Sequence, residues 1–149
     1  MQNLEIIGIV NAYTAQKEQA AKDRKEGLYA HELGLPAAVA WKRRVNMDKL
    51  FRAKGLIDEA LREINDKYID DDHSEEIDIV YTDDSGMKKT RKERRVKEEF
   101  IAEFTKARGD ILLQDTELDV RKVKIEDLGD VELTDEDMDT LAFMLEDGE

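Results

Sequence analysis

Apolar residues recur at helical spacing along much of the chain. Leu4, Ile7, Val10 and Tyr13 lie about one turn apart, which predicts a helix that starts near Asn3 within residues 1–27. Beyond Tyr13 the stripe thins to alanines, the face becomes charged, and Gly27 supplies a C-terminal stop. Residues 28–35, with His31 and Gly34, then form a connection. Pro36, the only proline, stands at the position of a helix start that tolerates a missing N–H. A long helix over 36–69 follows. Met47, Leu50, Ile57, Leu61, Ile64 and Tyr68 form a heptad-like seam that Ala40 extends upstream and that Arg43 and Lys54 interrupt. Phe51, Leu56 and Ala60 widen its apolar face, and Gly55 is a candidate bend.

The period then changes. Ile77, Ile79 and Tyr81 alternate with Asp78 and Val80. The run Asp83-Asp84-Ser85-Gly86 marks a turn, so 77–90 reads as a β-hairpin. A helix over 92–108 places Val96, Phe100, Phe104 and Ala107 on one face and stops at Gly109. Leu118 and Val120, then Val123 and Ile125, alternate in two phases. With Val131 and Leu133 they predict short strands within 117–133. Thr134 is an N-cap for an acidic helix over 134–147, whose first turn carries Asp135, Glu136 and Asp137 and whose buried stripe is Met138, Leu141, Ala142 and Leu145. The expected fold is one domain over residues 1–149. It is α+β and mainly helical, with a long central helix, shorter helices and a small antiparallel β-sheet.

Composition sharpens this picture. Of 149 residues, 41% are charged and 40% hydrophobic, against about 25% and 45–50% in an average domain. The core is therefore lean and the surface densely charged. The net charge of -13 is uneven: residues 70–84 hold eight acids and 126–149 eleven, both without Lys or Arg, while 88–97 hold seven basic residues and one acid. A net acidic field repels nucleic acid and anionic membranes. The absence of cysteine excludes disulfides, thiol nucleophiles and cysteine zinc sites. No apolar run approaches the roughly 20 residues of a membrane span. The N-terminal apolar run is broken by Glu5 and has no basic region before it, unlike a signal peptide. A cytoplasmic location is expected.

Candidate chemistry adds little. Two histidines are too few for a His-based metal site, and His73, set among acids, reads as a loop residue. Residues 70–76 fail as a calcium loop: counted from Asp70, Glu75 stands where glycine is needed and Tyr81 where the bidentate Glu is needed. Asp110, Glu117 and Lys122 imitate a nuclease spacing, but such spacings arise by chance among 37 acids. Gly-rich phosphate loops and the GxSxG elbow are absent. The basic run 88–95 has no interleaved aromatic, so it is expected to pair with Asp78, Asp83 and Asp84 rather than bind nucleic acid. Lys42, Arg43 and Arg44 beside Trp41 read as a solvated helix face around a core aromatic. No catalytic residue, cofactor or metal site is assigned, and an enzyme stands only as the lesser alternative to a protein that acts by contact.

The landmarks Leu33-Gly34-Leu35-Pro36, Lys42-Arg43-Arg44 with Asn46, the middle hairpin, Glu117-Leu118-Asp119-Val120 and Leu133-Thr134 with Leu141 and Met144-Leu145 follow an order that resembles small proteins encoded by tailed phages and prophages of Gram-positive bacteria. Relative to that pattern, about 14–32 is an insertion. The resemblance implies a phage origin and a place in the host cytoplasm, and no activity. The expected function is contact with another protein: inhibition of a basic host defence protein, or else a factor in virion or tail assembly, or a small-molecule-binding sponge. Asp135, Glu136, Asp137 and Asp139 are the expected partner-binding acids. Leu50, Ile57, Leu61 and Ile64 are the expected contact of a homodimer.

Overall fold

Helix α1 spans Asn3–Lys25. It ends where Gly27 takes a positive φ of 73°, a conformation that costs glycine nothing. There Gly27 N–H donates to Arg24 O at 3.1 Å and Leu28 N–H to Asp23 O at 2.8 Å, the paired bonds of a Schellman stop. The buried stripe is not the expected one. Asn3, Ile6, Val10 and Ala20 are buried, whereas Leu4 is 52% exposed. The stripe begins on a polar residue because Asn3 accepts from Thr116 Oγ1 at 2.6 Å and its N–H donates to Gln114 O. An apolar pattern cannot register such a position.

The computed structural model describes residues 1–146. It is α+β and mainly helical: among these residues are four α-helices and one two-stranded antiparallel sheet. The chain gathers into two compact units, one of residues 1–56 and 114–149, the other of residues 57–113. Helix α2, Ala37–Ile69, contributes to both. It starts directly after Pro36, whose carbonyl accepts from Ala40 N–H at 2.9 Å. Its seam is close to the expectation, with Met47, Leu50, Ile57, Leu61 and Tyr68 buried. The additions are Val39, Asn46 and Ala53. Phe51 and Leu56 stay exposed, as does Ala40.

In the first unit Val39, Val123, Leu128, Leu141 and Met144 form one cluster of the core, with Leu33, Leu35, Val120, Leu133, Phe143 and Leu145 against it. The strands expected within 117–133 do not form. In their place are a single parallel bridge, Val123 with Leu145, and a 3-10 turn, Ile125–Leu128. The cause is that side chains of α2 satisfy this backbone. Asn46, fully buried, donates to Arg121 O and accepts from Arg121 N–H, both at 2.8 Å. Lys49 Nζ donates to Asp119 O at 2.6 Å. An amide side chain offers one donor and one acceptor side by side, as a strand neighbour does, so no ladder is needed. Helix α4, Asp135–Leu141, is shorter than expected and passes into a 3-10 turn, Ala142–Met144. Residue 147, the last of the expected helix, lies outside the described residues.

In the second unit β1, Ser74–Thr82, pairs antiparallel with β2, Lys88–Val96. The turn is held by Asp83, whose carboxylate accepts from the N–H groups of Ser85 and Met87, and by Gly86 at φ 81°. These donors, Ser85 Oγ first, hold the Asp83 carboxyl below the usual carboxylate range. The register sets Glu75 opposite Arg95, Glu76 opposite Arg94 and Asp78 opposite Lys92; opposite charges directly across a pair stabilise it. Lys89 also pairs with Asp83 at 3.2 Å. The basic run is thus strand up to Val96, not the start of a helix. Helix α3, Glu98–Leu113, begins later than expected and runs through Gly109. Tyr68, His73, Phe100 and Phe104 form an aromatic cluster with ring centroids 4.7–5.4 Å apart. His73 is half-buried in it rather than solvated, and its ring, bonded to Asp70 at 2.6 Å, holds that carboxyl low.

Candidate functional site

Helix α4 divides its acids between two sides. Thr134 caps it by accepting from Asp137 N–H at 3.1 Å, and Asp137 Oδ2 accepts from Thr134 N–H at 3.0 Å. This reciprocal box turns Asp137 inward, where its side chain is 1% exposed. Asp135, Glu136 and Asp139 are exposed. Asp137 therefore departs from the expected partner surface. Its carboxylate is held by groups from α1 and from the connection before α2: Gln16 Nε2 donates to Oδ1 at 2.6 Å, and His31 Nε2 donates to Oδ2 at 2.9 Å. Burial by itself pushes the Asp137 carboxyl up, but the Thr134, His31 and Gln16 donors outweigh it and hold the group below the usual carboxylate range.

Arg43 completes the network from α2. Its Nη2 donates to buried Thr140 at 2.8 Å, and its guanidinium lies 5.1 Å from the centroid of the Tyr13 ring, a cation–π distance. Burial lowers its pKa, while Tyr13 and Asp137 oppose that shift; arginine stays charged throughout. Arg43, one of the two residues that interrupt the α2 seam, thus ties α2 to α4 in this unit.

Two concavities flank this network. One, of about 280 Å³, is lined by Gln16, Lys17, Arg24, His31, Arg43 and Asp137, with Ala20, Glu32 and Leu33. The other, of about 550 Å³, runs between α1 and α4. Ala12, Ala15 and Ala20 give its lining small apolar groups, and Asp23, Glu136 and Asp139 give it acidic ones. Gln16 and His31 line both.

The residues expected to carry self-association are placed differently. Leu50, Ile57 and Leu61 are buried within the chain and Ile64 is half-buried. The exposed apolar side chains of α2 are instead Trp41, Phe51, Leu56 and Ile69. Among the described residues no three His, Asp or Glu side chains converge on a metal position, and no helix is long and apolar enough to cross a membrane. Thermal melting with and without a strong chelator is expected to agree. A fall of more than about 5 °C, roughly 1 kcal/mol or more at this size, would show a structural metal.

Sequence reasoning missed Gln16, His31 and Arg43 and misplaced Asp137. Two signals were available. Thr134 and Asp137 have the spacing of a capping box, which engages the carboxylate internally. Arg43 breaks an otherwise apolar seam, and a charge at such a position needs a partner. Comparison with known proteins finds no matching family model, no matching curated protein and no matching solved structure.

Proposed function

We propose that the protein acts without catalysis, by holding a basic segment of another protein in the groove between α1 and α4. The observation that carries this reading is the groove's lining. Small alanines and the carboxylates of Asp23, Glu136 and Asp139 line it together. A chain with alternating small apolar and Lys or Arg side chains complements both. Glu126, Asp127, Asp130, Glu132, Asp135 and Glu146 are exposed as well and add to the net acidic field of the chain. A net acidic field raises the association rate of a basic partner more than it deepens affinity.

The resemblance to phage and prophage proteins supports a host protein as the partner, with inhibition of a defence component as the role. Recovery with virion or tail components would favour the assembly role. No dimer is proposed through the α2 seam, because its leucines and isoleucines already pack within one chain.

The test is association with a partner captured from host lysate. Asp23→Lys combined with Asp139→Lys removes two of the groove's acidic charges and spares the capping box. Asp23 sits in the last turns of α1, where a cation suits the helix dipole, so the fold should hold. The association rate is expected to fall on the order of tenfold at low salt. The wild-type rate should drop as salt rises and the Debye length shrinks to about 3 Å at 1 M. A rate indifferent to both changes would contradict the proposal.

A further inference from the structure

The smaller concavity has the opposite character to the rest of the molecule. In a chain of net charge -13, its lining brings together Lys17, Arg24, His31 and Arg43 with only two acids. Both acids are engaged. Glu32 pairs with Arg24, and Asp137 accepts from Thr134, Gln16 and His31. Lys17 lies 5.5 Å from the centroid of the Tyr13 ring and, among the described residues, pairs with no carboxylate.

Arg43 adds a sharper feature. Its Nη2 is bonded to Thr140, but its Nε is buried and has no hydrogen-bond partner among the described residues. Buried donors are nearly always satisfied, so an unmatched one on a residue that lines a pocket marks an arginine with donor capacity left for an acceptor. A guanidinium presents its N–H groups in a planar fork that matches the oxygens of an oxyanion, while lysine supplies a compact point charge.

We infer that this pocket binds a small oxyanion of the phosphate class, with Arg43 and Lys17 as its main ligands and Arg24 at the rim. Size and lining narrow the choice. A volume of about 280 Å³ lies at the small end of ligand sites. Ala20 and Leu33 are the only apolar residues of the lining, and His31 is its only aromatic, so a nucleobase finds no stacking platform. Inorganic phosphate and a short-chain phosphate ester share the chemistry the pocket offers. This inference is independent of the groove between α1 and α4, whose acidic lining residues do not line the pocket.

The experiment is a titration of the full chain with inorganic phosphate, and in parallel with glycerol phosphate, at constant ionic strength, read by the NMR resonance of the Arg43 Nε–H. The expected result is a saturable shift. Lys17→Ala should weaken the apparent affinity roughly tenfold with an unchanged melting temperature, since Lys17 is exposed and a hydrogen bond to a charged group carries about that factor. Arg43→Lys tests the fork itself. Because it removes a structural tie to Thr140, Lys17→Ala remains the decisive variant if Arg43→Lys does not fold. Tighter binding of glycerol phosphate assigns the site to an ester, and tighter binding of inorganic phosphate assigns it to the free anion; either supports the inference. An unsaturated, linear response to both probes would overturn it, as would an equal response to acetate, or a titration that Lys17→Ala leaves unchanged.

Discussion

Asp137→Ala should lower the melting temperature by about 10 °C, while Asp139→Ala, two residues away, should change it little. The difference follows from what each carboxylate touches. Asp137 closes the capping box with Thr134 and accepts from Gln16 and His31. Its removal takes the shared acceptor from Thr134, His31 and half-buried Gln16 and takes away the negative charge near Arg43. Losing a capping box together with two hydrogen bonds to a buried carboxylate costs about 3 kcal/mol, and each kcal/mol is worth about 2–4 °C in a chain of this size. Asp139 is exposed, and such substitutions generally stay within about 0.5 kcal/mol. Thermal melting followed by circular dichroism compares the two. Equal melting temperatures would mean that Asp137 is a surface acid after all.

The second large effect is expected at Leu50. This side chain is fully buried, whereas Leu56 on the same helix is 70% exposed. Leu50→Ala should cost about 3 kcal/mol, the sum of lost transfer energy and the cavity left behind. Leu56→Ala should cost less than about 0.5 kcal/mol. Urea denaturation measures both, and the unfolding slope should be unchanged if the native state keeps its compactness. A stability loss at Leu50 that vanishes on dilution would place that residue between copies of the chain instead of within one.

Apolar periodicity and backbone punctuation made much of the fold legible. Pro36 and the seam from Met47 to Tyr68 placed α2, Gly27 placed the end of α1, and Thr134 placed the start of α4. What escaped was carried by polar residues in interior positions. Asn3 and Asn46 are buried because they bond to other parts of the chain, and no hydropathy pattern marks that. The segment 117–124 alternates like a strand, yet its backbone bonds to the side chains of Asn46 and Lys49. The run 91–96 lacks apolar alternation because β2 is matched to β1 by charge. At the candidate site, Asp137 looked like one acid among eleven; only its spacing from Thr134 set it apart.

The division of α4 into an outward acidic face and an inward carboxylate can be tested at one atom group. Titration of the Asp137 side-chain carboxyl by carbon NMR reads its environment directly. The expected midpoint lies below the usual aspartate value, and it should move little between low and high salt, because hydrogen bonds in the interior are screened less than surface charges. The sign for stability follows. A carboxyl with a depressed folded-state pKa adds stability above its unfolded value and loses it as the pH falls through the folded midpoint. Wild-type stability should therefore fall over that acidic window, with a shallower fall in Asp137→Asn. A midpoint at the ordinary aspartate value that shifts with salt would contradict the inward placement of Asp137 and return it to the surface.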